Sequence, residues 1–448
     1  MKIKILKRKQ TFQMEMKKKK DELVIEIREI VTRPESHSST RCRIHEVPHY
    51  LRKWNTEAYT PMVVSIGPIH HKNERLKSME EYKERYFRSF VKRSMIKVKY
   101  LVDTIWRMKE SIHGCYAETI DPTDGGDKFV KMILLDAIFI LELFIRETLR
   151  SQTRDDAMIV KPRAKAIKFD LLLLENQLPF FVIKKLHQLA FRSLCKSDPR
   201  LSNYGDLVQL SLNYFIGDTC FKFRGDHPNA KVEHFTDLLR IFQLPPPERR
   251  PKRGNQQIFW YTATQLHKAG VKFMVAKSDK SECPFDIKFE KGVLKIPQLP
   301  LNHWTEVVTR NIMALEQTHY IKDAYFTDYL FLMDSLINTR EDLDLLCDKK
   351  ILVNNQGDNN AAMSMIDNLN KGIQWETVRV DYINLCEQLK RFYENRHRHR
   401  CIEVREELKR EYFSTPSRAT STIITLVVIT VLTLIQTVCS LMQVRGSS

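Results

Sequence analysis

The sequence predicts a mainly α-helical protein with a small antiparallel β-sheet (α+β), followed by a single C-terminal transmembrane helix. Apolar residues recur at helical spacing through most of the chain, a short stretch after residue 270 has period two, and residues 419–444 carry no charge. Hydrophobic residues make up 43% and charged residues 29% of the 448 positions, which is typical of a globular protein rather than a disordered one.

Composition divides the chain into four parts. Residues 1–40 form a basic tail that we expect to be disordered, and residues 41–250 form the helical N-terminal part of the main domain. Residues 251–415 form its α+β C-terminal part, and residues 419–444 form the membrane segment.

The first half of the main domain contains three predicted helical regions. Residues 77–112 have apolar side chains at intervals of three, four and five, residues 129–146 are apolar enough for a buried helix, and residues 170–183 are predicted to be core, interrupted at Pro179. We interpret the Met, Leu and aromatic stripes in these regions as core.

The second half begins after a basic, Pro-rich break at residues 244–254, which we interpret as an exposed loop, with an interaction site as the alternative. Period-two segments and a turn at Gly292 predict the small antiparallel sheet. We expect strands at residues 271–275, 285–289 and 293–296. Further helices are expected at 305–319, 327–337, 341–347 and 375–413, and a polar loop at 354–360.

A net charge of +18 favours anionic partners, namely phospholipid headgroups, nucleic acid or acidic proteins. The excess is concentrated at residues 1–20 and 391–410, which could equally be solvated surfaces. No nucleic-acid recognition motif accompanies them, so we expect no specific nucleic-acid partner. The nine Cys form no CxxC pair and no Asn-x-Ser/Thr site occurs, which favours reduced thiols in the cytosol.

The uncharged run at residues 419–444 would span roughly 39 Å as a helix, more than the roughly 30 Å of a bilayer core. Basic residues precede it and only Arg445 follows, so the positive-inside rule places the N-terminal domain in the cytosol. We therefore expect a tail-anchored, single-pass protein of the plasma membrane or endoplasmic reticulum. Residues Arg391 to Arg410 would then contact anionic lipid headgroups.

Two histidine patterns raise the possibility of a metal site. His45-Glu-Val-Pro-His49 matches the H-E-x-x-H zinc pattern, but Pro48 disrupts the helix that must bring both imidazoles together. His70 and His71 are adjacent and follow a turn, which is more typical of structure than of chelation. Nucleotide-binding loops and G-x-S-x-G are absent. We expect no catalytic, cofactor-binding or metal residues and no cofactor, and enzymatic activity is left open.

A set of segments in fixed order resembles the plant domain-of-unknown-function family 247, also called uncharacterised protein family 0481, over about residues 42–440. The segments include 43–48, 64–71, 173–181, 263–273, 310–317 and 333–342. The resemblance implies a plant membrane protein in recognition or signalling, since some grass members are implicated in pollen self-incompatibility and others in disease or stress responses. It supplies no catalytic residues.

These observations lead to a functional hypothesis of a membrane-anchored interaction or signalling module with an unknown protein partner. The alternative is a membrane-associated hydrolase with an unfamiliar site, which would show a deep pocket with converging polar groups. In a third hypothesis the basic tails bind lipid or RNA, with the core as a scaffold.

Overall fold

The computed structural model describes residues 16, 18–20, 22–25, 28, 44–116, 126–149, 163–215, 230–255, 261–276, 285–355, 357–374, 377–412 and 427–437, with backbone alone for 397–412. The predicted tail at residues 1–40 therefore falls almost entirely outside the described residues.

The named elements follow in chain order. The α-helices are α1 His49–Arg52, α2 Ser78–Ser94, α3 Val98–His113, α4 Gly126–Leu149, α5 Arg163–Asp170, α6 Phe180–Ser197, α7 Leu207–Phe215, α8 Phe235–Ile241, α9 Ala263–Lys268, α10 His303–His319, α11 Tyr325–Leu336, α12 Arg340–Asp348, α13 Asn359–Asn370 and α14 Val380–Tyr412. The strands are β1 Arg253–Gly254, β2 Lys272–Val275, β3 Lys288–Glu290, β4 Val293–Ile296, β5 Leu299–Leu301, β6 Leu352–Asn354 and β7 Val378–Arg379.

Helix α4 is the centre of the first half. Its Ile-, Leu- and Phe-rich sequence is apolar around most of its circumference, and it contacts α2, α3, α6 and α7. A helix that is apolar on nearly all faces is stable in water only when other helices cover it. The prediction of a buried helix at residues 129–146 is confirmed.

The region predicted as one helical stretch at residues 77–112 contains two helices. Met95 adopts a left-handed conformation with φ of 55°, which ends α2, and α3 starts three residues later. Helix α3 buries Leu101, Ile105 and Ile112, whereas Met95, Val98 and Trp106 from the same predicted stripe are exposed. The interpretation of these three residues as core is wrong, because the break rotates α3 relative to α2.

Residues 171–179 are buried but not helical, and they connect α5 to α6. Pro179 precedes the first residue of α6 with φ of −57°. Its missing N–H costs nothing at that position, because the first amide groups of a helix have no partner within the helix. The prediction that residues 170–183 are core is confirmed apart from the exposed Phe181, whereas Pro179 precedes a helix and does not bend or interrupt one.

The predicted sheet is present, but its strand predicted at 285–289 lies at Lys288–Glu290, and the sheet is mixed rather than antiparallel. Strands β3 and β4 form an antiparallel hairpin through Lys291 and Gly292, which both have positive φ. Strand β2 pairs with β4 in parallel, giving the order β2-β4-β3. The hairpin partner β3 occupies one edge of β4, so β2 adds to the other edge. Parallel β5–β6 and antiparallel β1–β7 pairs complete the described sheets.

Helix α10 is the centre of the second half, and eleven of its residues are buried, from Thr305 to Glu316 without Glu306. It contacts the 3-10 helix Thr56–Tyr59 and α5 from the first half, and α11 and α13 from the second. The helices predicted at 305–319, 327–337 and 341–347 are confirmed as α10, α11 and α12. Helix α13 is not predicted by the sequence pattern, because its polar start resembles the end of a loop.

The predicted long helix at residues 375–413 is confirmed as α14, which starts later, after the short strand β7. Beyond it, residues 427–437 are helical.

The predicted transmembrane helix at residues 419–444 is contradicted by the structure. Within the part of the chain that is described, no helix is both long enough and apolar enough to cross a bilayer. The predictions of a single-pass, tail-anchored topology and of a membrane localisation are therefore wrong as well. Residues 419–426 and 438–444, including Ser440, lie outside the described residues, whereas Gln436 lies in the described helix.

Candidate functional site

The last residue of α5 and the buried irregular segment that follows it carry four polar side chains that are almost wholly inaccessible to solvent: Asp170, Glu175, Asn176 and Gln177. A buried non-helical segment must find hydrogen-bond partners for its backbone outside regular secondary structure. These side chains provide such partners for several neighbouring segments. We call the four residues the polar frame.

Asp170 holds the turn at residues 62–64. Its Oδ1 accepts from the Met62 N–H at 2.9 Å, and its Oδ2 accepts from the Val63 and Val64 N–H groups at 2.7 and 2.9 Å. Burial raises the pKa of Asp170 to about 6, although these three backbone donors act in the opposite direction. The carboxylate is therefore committed to backbone structure.

Glu175 collects donors from the N-terminal segment. The Val47 N–H donates to Oε1 at 2.8 Å, the Arg52 guanidinium also donates to Oε1, and His70 Nε2 lies 3.0 Å from Oε2. Burial acts to raise the pKa of Glu175, but the hydrogen bonds from His70, Arg52 and Val47 outweigh it and hold the pKa below its ordinary value. The adjacent His70 and His71 therefore have different environments: His70 contacts Glu175 of the polar frame, whereas His71 is exposed to solvent.

Asn176 and Gln177 complete the polar frame. Asn176 Oδ1 accepts from the Ile66 N–H at 2.7 Å, and its Nδ2 donates to the Val64 and Asp170 carbonyl oxygens. Gln177 Oε1 accepts from the Phe235 N–H at 2.9 Å, which links the segment to the start of α8. All four side chains are thus fixed by structural hydrogen bonds.

A buried ion pair between Lys83 of α2 and Asp136 of α4 lies beside the frame. Lys83 Nζ is 2.6 Å from Asp136 Oδ1 and donates to the Ser65 carbonyl oxygen at 2.7 Å. Asp136 Oδ2 accepts from the Gly67 N–H at 2.8 Å. Burial alone would lower the pKa of Lys83, but Asp136 and Glu80 raise it. The hydrogen bonds to the Ser65 carbonyl oxygen and from the Gly67 N–H offset part of the desolvation of this buried pair.

A cavity of about 360 Å³ opens next to Asp170, between the N-terminal segment and α10. This volume is within the range of small-molecule sites. Its apolar wall includes Phe169, Leu173 and Val307, and Glu57 and Arg75 line it as charged residues. Asp170 already accepts three backbone hydrogen bonds, so the buried carboxylate of the cavity is not free to act as a reactive group.

An exposed apolar ridge runs along α3. Met95, Val98, Val102 and Trp106, which we call the α3 ridge, have 82%, 45%, 36% and 50% of their surface exposed. The last three are spaced by four residues, so they lie on one face of the helix over about 12 Å. Large contiguous apolar surface on a protein commonly marks an interaction site.

The H-E-x-x-H pattern does not come together as a metal site. Pro48 precedes α1, so His49 lies at the start of the helix and His45 lies outside it. His45 Nδ1 is 2.9 Å from the Glu46 carbonyl oxygen, and its ring stacks on His319 at 4.9 Å. Burial lowers the pKa of His45. Among the residues that the structure describes, no group of three or more metal-binding side chains is present.

The Pro-rich segment at 244–254 is held by ion pairs and does not behave as a free loop. Arg253 donates to both carboxylate oxygens of Asp328 at 2.9 Å, and Arg250 pairs with Asp323. The interpretation as an exposed loop is wrong for Arg253, which is partly buried. The predicted contact of Arg391 to Arg410 with lipid headgroups stays a prediction, with α14 carrying these residues.

Sequence reasoning found neither the polar frame nor the α3 ridge as such. The frame has a visible signal, because the polar triplet at 175–177 interrupts a run of apolar residues. The ridge has a weaker one, since the interval of five between Phe90 and Met95 breaks the helical spacing.

The fold defines a mainly helical α+β protein whose two halves meet through buried hydrogen bonds, such as that from the Leu174 N–H to Asn311 Oδ1 at 2.8 Å. The chain belongs to the DUF247 family, described as plant protein of unknown function, whose sequence profile matches residues 44–431. The resemblance seen in the sequence is thereby confirmed.

Two proteins of Arabidopsis thaliana are similar to this chain. UPF0481 protein At3g47200 is 26% identical over 378 residues, covering 78% of this chain and 76% of that protein. Putative UPF0481 protein At3g02645 is 23% identical over 444 residues, covering 79% and 82% respectively. No solved structure matches the chain.

Proposed function

We propose that the chain is a protein-recognition module that binds a partner protein through the α3 ridge. The observation that carries the proposal is the exposure of Trp106 together with Val98 and Val102 on one helical face. Trp is strongly enriched among the residues that dominate binding energy at protein interfaces, and a row of apolar side chains one helical turn apart fits such a contact.

The distribution of exposed apolar residues supports this choice. Among the described residues, large hydrophobic side chains with high exposure are concentrated at positions 95–106, namely the α3 ridge and Tyr100, and in the helix at residues 427–437. Elsewhere in the described ranges such residues occur singly or in small groups, as on ordinary protein surfaces.

Charges around the α3 ridge favour a partner with an acidic rim. Lys97, Lys99 and Arg107 are exposed beside it, and Lys109 Nζ lies 5.8 Å from the centre of the Trp106 ring. Asp103 and Glu110 are the acidic residues of α3, so the helix keeps a positive balance. Complementary charge at the rim increases association rate and selectivity.

The hydrolase alternative has less support. It needs a titratable group that is held in a pocket and is free to act. The buried carboxylate at the cavity is engaged by three backbone N–H groups, and the charged residues Glu57 and Arg75 are exposed on its lining. The unknown protein partner expected from the sequence is therefore the hypothesis we keep, without its membrane anchor.

The test is affinity capture from plant extract with three purified forms of the full chain. The ridge variant is Val102→Asp with Trp106→Ala, and the control variant is Leu189→Asp, an exposed position on α6. We expect proteins that the wild type and the control capture but the ridge variant does not, followed by titration of the purified partner. The proposal fails if every captured protein is retained by the ridge variant, provided that circular dichroism shows both variants folded.

A further inference from the structure

The cavity beside Asp170 combines an apolar interior with two opposite charges that do not neutralise each other. Phe169, Leu173 and Val307 are buried or nearly so and form the apolar wall, while Glu57 and Arg75 are exposed lining residues. Neither Glu57 nor Arg75 forms an ion pair with another side chain in the described ranges.

We propose that this cavity binds a small zwitterion of the amino-acid type, with its carboxylate at Arg75, its ammonium group at Glu57 and an apolar side chain against Phe169, Leu173 and Val307. A guanidinium is a strong partner for a carboxylate because it donates two parallel hydrogen bonds. The remaining carboxylate on the lining supplies the matching charge for an ammonium group.

The first turn of α10 adds to the anion-binding side. His303 and Val307 are four residues apart and both line the cavity, so the N-terminal turn of this 17-residue helix borders it. A helix N-terminus carries partial positive charge, which favours a carboxylate nearby. This helix N-terminus and Arg75 are the positive groups of a lining that also contains Asp170, whose carboxylate is engaged by backbone N–H groups.

The surrounding structure keeps the cavity open and shaped before any ligand arrives. Asp170 fixes the backbone at residues 62–64, and Met62 itself lines the cavity. On the opposite wall, Phe169 stacks on Trp304 with ring centroids 4.2 Å apart. A preformed site loses less conformational freedom on binding, which leaves more of the interaction energy as affinity.

The ligand class follows from the two charges and the volume. A molecule with only one charge would contact either Glu57 or Arg75 and leave the other to solvent, so only a zwitterion uses both exposed charges. At about 360 Å³ the cavity is at the lower end of the size range of small-molecule sites, which suits a single amino acid rather than a cofactor.

The test is isothermal titration of the full chain with L-leucine, L-methionine and L-phenylalanine as probes. For phenylalanine, N-acetyl-L-phenylalanine lacks the cation and L-phenylalaninamide lacks the anion. We expect saturable binding of at least one zwitterion, and at least tenfold weaker binding of both phenylalanine analogues if phenylalanine is the best probe. If leucine or methionine is the best probe, its N-acetyl derivative and its amide replace the two phenylalanine analogues.

Charge variants locate the binding at this cavity. Arg75→Gln and Glu57→Gln should each weaken binding of the best zwitterion at least tenfold, while the control Arg107→Gln on α3 should leave it unchanged. The proposal is overturned if none of the three zwitterions binds at millimolar concentration. Equal binding of a singly charged analogue, or unchanged binding in both cavity variants, also overturns it.

Discussion

Glu175 shows at the scale of one residue how the polar frame depends on charge. Its carboxylate is buried and receives donors from Val47, Arg52 and His70. Removing the charge from a buried, hydrogen-bonded ion pair leaves the partner cation uncompensated, which is costly. The same residue type on the surface would contribute little.

We predict that Glu175→Gln lowers the free energy of unfolding at pH 7 by about 2–4 kcal/mol. Because the folded-state pKa of Glu175 is below the ordinary value of 4.5, its contribution is present above pH 4.5 and is lost as pH falls through the folded-state pKa. The difference between wild type and variant should therefore shrink below pH 4.5.

Urea unfolding at pH 7, 5.5, 4.5 and 4 measures this difference. The control is Glu84→Gln, an exposed glutamate on α2, for which we expect a change within about 0.5 kcal/mol. A difference for Glu175→Gln that stays constant down to pH 4 would show that the charge is not what stabilises the fold.

Only part of the polar frame can be predicted from the sequence. The run at 170–183 is recognisable as core, and the polar triplet inside it signals that these side chains are buried with partners. The partners could not be predicted, because Val47, Ile66 and Phe235 are distant in sequence and each contributes only a backbone N–H. Residue type carries no information about such donors.

At the scale of elements, Gly67 shows how closely the turn before α2 approaches the frame. It has φ of +72°, and a Cβ at this position would lie 2.6 Å from the Gln177 carbonyl oxygen and 3.0 Å from Tyr116 Oη. Position 67 therefore requires glycine, both because its φ is positive and because there is no room for a Cβ.

We predict that Gly67→Ala lowers the free energy of unfolding by about 3 kcal/mol, combining left-handed strain with a clash against backbone. The control is Gly357→Ala. Gly357 has φ of +82°, but a Cβ added there would meet no atom within 4 Å, so only the strain of about 1 kcal/mol applies. Chemical denaturation of both variants checks this, and equal losses would rule out the clash.

The elements that periodicity reveals were predicted well, and those that depend on distant pairing were not. Helices α4, α10 and α11 have strong apolar patterns and lie where expected. The parallel pairing of β2 with β4 depends on which edge of the hairpin is free, which no local pattern encodes. The break at Met95 likewise requires a left-handed residue that the sequence does not mark with glycine.

At the scale of the whole molecule, the uncharged run at 419–444 illustrates a limit of hydropathy. Composition identifies an apolar stretch, whereas a bilayer span also requires a continuous helix of sufficient length. The described helix in this region covers residues 427–437. Among the described residues, no helix combines the length and the apolar character that a membrane span requires.

The two predicted parts of the main domain, 41–250 and 251–415, are joined by buried contacts. Asn311 of α10 accepts from the Leu174 N–H at 2.8 Å and donates to the Ala58 carbonyl oxygen at 2.7 Å. Arg240 of α8 pairs with Glu316 of α10 at 3.2 Å. These groups are buried, so separating the parts would expose apolar surface and leave polar groups without partners.

We predict that fragments 44–250 and 251–412, expressed separately, each lack a cooperative thermal unfolding transition, whereas the full chain unfolds cooperatively. Cutting the chain separates Asn311 from Leu174 and Ala58, and Arg240 from Glu316. It also exposes one side of α10 in one fragment and the surface that packs on it in the other. Each buried polar group left without its partner lowers the free energy of unfolding by about 1–3 kcal/mol. Near-ultraviolet circular dichroism and differential scanning calorimetry measure the transitions.

Asn311→Ala in the full chain is the companion variant, and it should lower the unfolding temperature without splitting the transition. A cooperative transition in either isolated fragment would instead show that the parts are independent domains that meet after folding.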